Sequence, residues 1–139
     1  MIITVTLNPA VDRTIAVKEL LPGTVMRTTG VTICAGGKGI NVSRAVRAAG
    51  GDTCAVFFKG GIEGALIEDL MQKDGIAVRT VPTAAASRIS TQIAEDSGRF
   101  SNLNDVGGPI TAAELAALID MLDQLVGADD VLVLSLIHI

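Results

Sequence analysis

Apolar positions along this chain recur at two spacings, one suited to strands and one to helices. Residues Ile2 to Leu7 form a short β-branched run that reads as a strand, and Asn8-Pro9 breaks it. Arg13 to Val17 alternates polar and apolar and predicts a second strand, followed by a Pro22-Gly23 turn. Met26 to Ile33 predicts a third strand, with Gly30 as a bulge. After Ala35-Gly36-Gly37-Lys38-Gly39, the residues Val42, Ala45, Val46 and Ala49 fall at i, i+3, i+4 and i+7, the face of a helix that Gly50-Gly51 ends.

The same two spacings continue to the end. Thr53 to Phe58 reads as a buried strand, and Lys59-Gly60-Gly61 as a loop. Leu66, Ile67, Leu70 and Met71 mark a helix that stops near Asp74-Gly75, before a strand over Ile76 to Val81. Arg88 to Ala94 and Arg99 to Leu103 flank Asp96-Ser97-Gly98 as a hairpin. Thr111 with Glu114 forms a capping box, and Leu115, Leu118, Leu122 and Leu125 trace the helix it opens. Val131 to Leu134 is a last, fully apolar strand. Strands alternating with helices predict an α/β fold with a mainly parallel sheet covered on both faces. The alternating strands, at roughly 12–34 and 88–103, predict a separate small antiparallel sheet with one wet face.

Composition narrows the function. A length of 139 residues fits one domain, and 49% hydrophobic residues exclude intrinsic disorder. Aromatics are 2%, which disfavours a base-stacking nucleic-acid binder or an aromatic-lined lectin, and the formal charge of −4 gives no basic footprint for nucleic acid. No apolar run reaches the ~18–20 residues of a membrane helix, and the amino terminus lacks the basic region of a signal peptide. Cys34 and Cys54 stand far apart and read as reduced core residues of a cytoplasmic protein. The only histidine is His138, which disfavours a His-ligated zinc site or a Ser-His-Asp triad, and no metal ligands are assigned.

The glycine cluster carries the chemistry. It follows a strand and opens a helix, where unpaired N–H groups and the helix dipole favour an anion, and Lys38 adds charge. A plain tight turn into a helix is the competing reading. A Walker A loop is excluded, because Gly39 and Ile40 follow Lys38 and no hydroxyl is placed for Mg²⁺. The dinucleotide fingerprint is excluded too: Val42 stands where the third glycine belongs, and the loop comes about thirty residues too late. A nucleotide-binding oxidoreductase is disfavoured with it.

Thr6-Leu7-Asn8-Pro9-Ala10-Val11-Asp12, followed by Ala35-Gly36-Gly37-Lys38-Gly39-Ile40-Asn41-Val42-Ser43-Arg44-Ala45, resembles the ribokinase-like (PfkB) sugar kinases. Within that family the pattern is similar to the 1-phosphofructokinase and tagatose-6-phosphate kinase subgroup. Val25-Met26-Arg27, Phe58-Lys59-Gly60-Gly61 with Gly64, Ser87-Arg88, and Asn104 with Gly107 stand where the subgroup has similar motifs. The likeness runs from Ile2 to about Leu134. It implies a three-layer α/β sandwich with a small β lid, and transfer of the ATP γ-phosphoryl group to a sugar phosphate, with Mg²⁺.

Carried over by resemblance, Asp12 accepts hydrogen bonds from sugar hydroxyls. Gly37, Gly39 and Asn41 line the sugar pocket, Arg27 and Arg88 hold the sugar's phosphate, and Lys38 adds charge there. Arginine suits that role through its planar fork. Each residue also has a plainer reading. Asp12 could cap the Asn8-Pro9 turn, the arginines could be solvated charges, and Asn41 could be only a helix cap. Their occurrence together at matched positions favours binding. Ser43 and Arg44 read as helix surface, and Glu63, Glu68, Asp69, Asp120 and Asp123 as solvated helix faces.

Family members are about twice as long, and their Gly-Ala-Gly-Asp motif, with the catalytic aspartate and most of the ATP and Mg²⁺ site, has no counterpart in residues 1–139. No catalytic residue is therefore assigned in this chain, which reads as a truncated, amino-terminal part over 1–135. After Ser135 the family pattern stops matching, so residues 136–139 are expected to be a tail foreign to it. The partners the resemblance implies are a sugar phosphate, with fructose 1-phosphate first, ATP, and a second copy through the β lid. Tagatose 6-phosphate, and a non-catalytic sugar-phosphate-binding module, stay open as alternatives. The purified 139-residue chain should transfer no phosphate from ATP to fructose 1-phosphate in a coupled assay, and measurable turnover would refute this account.

Overall fold

The computed structural model describes residues 1–135. The elements run β1 (Ile2–Thr6), β2 (Ala10–Val17), β3 (Gly30–Gly36), α1 (Lys38–Ala48), β4 (Thr53–Lys59), α2 (Gly61–Lys73), β5 (Ala77–Pro82), β6 (Arg88–Glu95), β7 (Phe100–Asn104), α3 (Ala112–Leu125) and β8 (Val131–Ser135). The tail expected at 136–139, with His138, lies outside the described residues.

One sheet has the order β5-β4-β1-β8, and all its pairs are parallel. Alternation along β1 and β4 splits the apolar residues between its two faces. Ala55 and Phe57 join Ile40, Ile67, Met71 and Ile76 on the α1 and α2 side. Ile3, Val5, Cys54, Val56 and Phe58 join Leu118 of α3 on the other. The sheet is thus the middle of three layers, as the sequence predicts. No helix among the described residues is long and apolar enough to cross a membrane.

The second sheet has the order β3-β2-β6-β7. Val11 of β2 and Ala35 of β3 enter the same core as Ile67 and Met71, so α2 packs against both sheets. Its outer strands pair antiparallel, as expected, but β2 and β6 run parallel, which corrects the all-antiparallel prediction. The chain between β2 and β6 passes through the first sheet, and that long crossover permits the parallel pairing.

Three further expectations change. The third strand begins at Gly30 rather than Met26 and runs to Gly36. Its register with β2 is unbroken from Ala16↔Gly30 to Ala10↔Gly36, so Gly30 opens the strand and is no bulge. Residues 26–29 lack a ladder partner, and propensity alone does not make a strand there. The buried face of α1 is Gly39, Ile40 and Ser43, while Ala45 and Ala49 are exposed and Val42 and Val46 half-buried. Ser43 belongs to the core because its Oγ lies 2.7 Å from Thr4 Oγ1 and 2.9 Å from Thr53 Oγ1, a buried chain of hydroxyls. Finally, β8 is an edge strand, and Val131, Leu132 and Leu134 are exposed rather than covered on both faces.

Side chains read as helix surface also find partners. Arg44 pairs with Asp74 at 3.0 Å, and half-buried Glu68 pairs with Lys59 at 2.9 Å. The Thr111–Glu114 capping box forms as predicted, although Leu115 is exposed and Leu118 carries the burial. Ile67 is wholly buried on α2, between the two sheets. Ile67→Ala should lower unfolding free energy by about 2–5 kcal/mol in urea titration, and a loss below about 1 kcal/mol would mean the two sheets do not share one core.

Candidate functional site

Four chain segments converge at the carboxyl end of β1, which is where open parallel sheets bind ligands. Thr6 ends β1, Leu7-Asn8-Pro9 leads into β2, β3 returns to Gly36, and Gly37 opens α1. The glycines are required by contact. A Cβ on Gly36 would collide with the Asp12 carboxylate. Gly37 has φ 130, a backbone region open chiefly to glycine, and a Cβ there would lie 2.6 Å from Thr6 Cγ2. On Gly39 it would lie 2.8 Å from the Val5 carbonyl oxygen, so α1 can sit this close to β1 only without a side chain.

Asp12 lies inside β2, in register with Cys34 and Ser90, so it caps no turn. Arg88 pairs with Ala10 one step along the same ladder, which puts Asp12, Arg88 and Ser90 on one face of the second sheet. Around Asp12 that face is mostly polar. Ser90 Oγ donates to Asn104 Oδ1 at 2.6 Å, and Thr14 Oγ1 donates to Gln92 Oε1 at 3.2 Å. Arg88 Nη1 donates to the Asp105 carbonyl at 3.4 Å, while its Nε is buried with no partner. An unpaired buried donor of this kind is uncommon and suits an anion. Burial pushes the Asp12 carboxyl above its ordinary value, against the opposing pull of the Arg88 charge and the Ser90 side chain. A carboxylate held at a cost beside a guanidinium is a functional-site signature.

The structure therefore brings Asp12, Arg88, Gly37 and Gly39 together, with Lys38 and Asn41 exposed on the first turn of α1. It does not bring Arg27 to them. Arg27 is exposed in the 18–29 loop, beyond the Thr29 N–H bond to the Ala16 carbonyl, at the opposite end of the β2–β3 pair from Asp12. Beside the glycine turn, a cleft of about 160 Å³ is lined by Asn8, Pro9, Phe58, Thr83, Ser87 and Gly108 among others. The sequence reading missed Thr6, Ser90 and Asp105. Thr6 had a signal: Thr4 and Thr6 are polar at period two inside an otherwise apolar buried strand.

A model of the pfkB family of carbohydrate kinases matches residues 5–138. The chain belongs to that family. It is similar to the 1-phosphofructokinase of Haloferax volcanii, at 41% identity over 86% of this chain and 39% of that enzyme. It is also similar to the D-tagatose-1-phosphate kinase of Bacillus licheniformis, at 34% identity over 90% of this chain and 40% of that protein. Among solved structures, phosphofructokinase-2 from Escherichia coli, in complex with substrates and products, superposes with a TM-score of 0.90 at 27% identity, over 96% of this chain and 44% of that one. The chain thus spans about two fifths of the length of these relatives. The ribokinase-like sandwich expected from the sequence is the observed architecture of this pfkB-family chain.

Because the Asp12 carboxyl is raised in the fold, the folded state holds its proton more tightly than the unfolded chain. That contribution is fully present below the ordinary value of 3.8 and is lost as pH rises through the raised value. Asp12→Asn should therefore be more stable than wild type at pH 7, and the gap should close near pH 3.5. Thermal melts at the two pH values check this; a gap that widens in acid would reverse the sign assigned to Asp12.

Proposed function

We propose that this chain is the sugar-binding part of an ATP-dependent sugar-phosphate kinase acting on fructose 1-phosphate. The observation that carries the reading is the placement of Asp12 and Arg88 on one face of the second sheet beside the glycine turn, with the Arg88 Nε buried and unpartnered. Asp12 accepts hydrogen bonds from sugar hydroxyls. Arg88 holds the sugar's phosphate, which gives its orphaned Nε an acceptor. Gly37, Gly39 and Asn41 line the sugar, and Lys38 adds charge at its rim. Arg27, remote from Asp12 within one chain, reaches a phosphate only across a contact between two copies.

In the reaction, a sugar hydroxyl oxygen bonds to the γ-phosphorus of ATP, the bond to the bridging oxygen breaks, and the hydroxyl proton passes to a base. The reading assigns the base, ATP and Mg²⁺ to sequence outside residues 1–139. Similarity to the Haloferax enzyme supports fructose 1-phosphate, and the tagatose-1-phosphate kinase likeness favours a ketose 1-phosphate generally. Exposed Val31, Ile33 and Leu103 lie on the opposite face of the second sheet from Asp12, which supports a second copy docking there. Free thiols at Cys34 and Cys54 support a cytoplasmic location.

Calorimetry of the chain without ATP should show fructose 1-phosphate binding more tightly than fructose 6-phosphate. Arg88→Gln should weaken it by about ten- to a hundredfold. No binding of either sugar, or unchanged affinity in Arg88→Gln, would sink the reading.

A further inference from the structure

The first turn of α1 has no capping side chain of its own, because Gly37 occupies the N-cap position. The cap comes from another element. Thr6 Oγ1, at the end of β1, accepts the Ile40 N–H at 3.0 Å. Thr6 is buried, so water does not compete for that oxygen. Its methyl sits against Gly37 and its hydroxyl oxygen against Gly39, where a Cβ would come within 2.6 and 2.5 Å respectively. The Asn41 N–H goes to the Gly37 carbonyl at 2.8 Å. The Lys38 and Gly39 N–H groups are left without a protein acceptor among the described residues.

We propose that Thr6 is the positioning residue of this site: it takes the third N–H of α1, seats both glycines, and thereby leaves two backbone donors, Lys38 N–H and Gly39 N–H, for an oxygen of the sugar phosphate. The inference rests on the sugar-phosphate reading above. Thr6 does not touch the ligand; it acts through the turn. Threonine is specified because both parts of its side chain are used. Serine keeps the acceptor without the methyl on Gly37, and valine keeps the shape without the acceptor. A Thr6→Val turn must shift to hydrate the Ile40 N–H, and any shift moves the two donors away from Asp12 and Arg88.

Calorimetry with fructose 1-phosphate separates this role from general loosening. Thr6→Val should raise Kd about tenfold, and Thr6→Ser should stay within about threefold of wild type. Ser43→Ala is the control, since it breaks the Thr4–Ser43–Thr53 hydroxyl chain on the same helix away from its first turn. It should lower the urea midpoint and leave Kd unchanged. Equal losses of affinity in Thr6→Val and Ser43→Ala would overturn the proposal. Amide exchange on the wild-type chain decides the matter even where Thr6→Val does not fold: the Ile40 amide should exchange at least about tenfold more slowly than those of Lys38 and Gly39. Equal rates at the three positions overturn the proposal. Slow exchange at Ile40 without any fructose 1-phosphate binding upholds the cap and sinks the sugar-phosphate reading alone.

Discussion

Thr4 and Thr6 face α1 from β1, while Ile3 and Val5 face α3, and this alternation is the constraint from which the rest of the molecule is built. Two hydroxyls in the middle of a buried sheet are costly unless both are bonded. Thr4 is bonded through Ser43, and Thr6 through the Ile40 amide. Both bonds tie α1 to β1, and both require the helix to lie close, so Gly39 lies over the Val5 carbonyl. A helix held by hydrogen bonds at two heights has little freedom to slide or rotate. The Thr6 bond, at the first turn, is the one that fixes its amino terminus relative to the end of β1, and the approach of β3 through Gly36 and Gly37 follows.

The second sheet has the opposite character. Its inner end is anchored by Val11 and Ala35 in the shared core, but the face with Asp12, Thr14, Arg88, Ser90, Gln92 and Asn104 is polar. Nothing in folding alone favours a half-buried carboxylate against Gly36, or a guanidinium with its Nε unpaired. Violations of local consistency gather at functional positions and are carried by stability elsewhere. Here the carrying is done by Phe57, Ile67 and Met71, which are wholly buried between α2 and the first sheet. A ligand offering hydroxyls to Asp12 and an anion to Arg88 would relieve both strains at once.

Strands and helices were legible where periodicity and burial agree. β4 lies close to the bounds read from Thr53 to Phe58, α2 stops at Asp74 as read but already begins at Gly61, which the sequence placed in a loop, and the Thr111 capping box formed as written. The reading of α1 failed because its core face is made of Gly39, Ile40 and Ser43, and two of those three are not apolar side chains. Hydrogen bonding and close approach replaced hydrophobicity there, and a pattern count sees only the latter. The parallel β2–β6 pairing was equally invisible, since local sequence does not encode the partner of a strand seventy residues away. Asp12, Gly37, Gly39 and Arg88, singled out by motif, lie together at the end of β1. Ser90 and Asp105 were not, because their part in the site comes only from strand register.

Register also explains how Arg88 comes to its place. Gly60 follows β4 and lies in contact with Ala85, and a Cβ there would collide with the Ala85 carbonyl. The Gly60 carbonyl accepts the Ser87 N–H at 3.0 Å, and the Gly60 N–H donates to Ser87 Oγ at 3.2 Å. This reciprocal pair pins the residue before Arg88 to the end of the first sheet. Asp105 closes the other side: its carboxylate accepts the Ile89 N–H, and its own N–H returns to the Ile89 carbonyl. Arg88 is held between these two sets of bonds, one from each sheet. Its guanidinium therefore has a fixed position relative to the α1 amino terminus, although no bond connects the two directly. The two sheets meet through apolar packing at α2, but the geometry of the site is set by polar turns at the carboxyl ends of β1 and β4 and the amino end of β6.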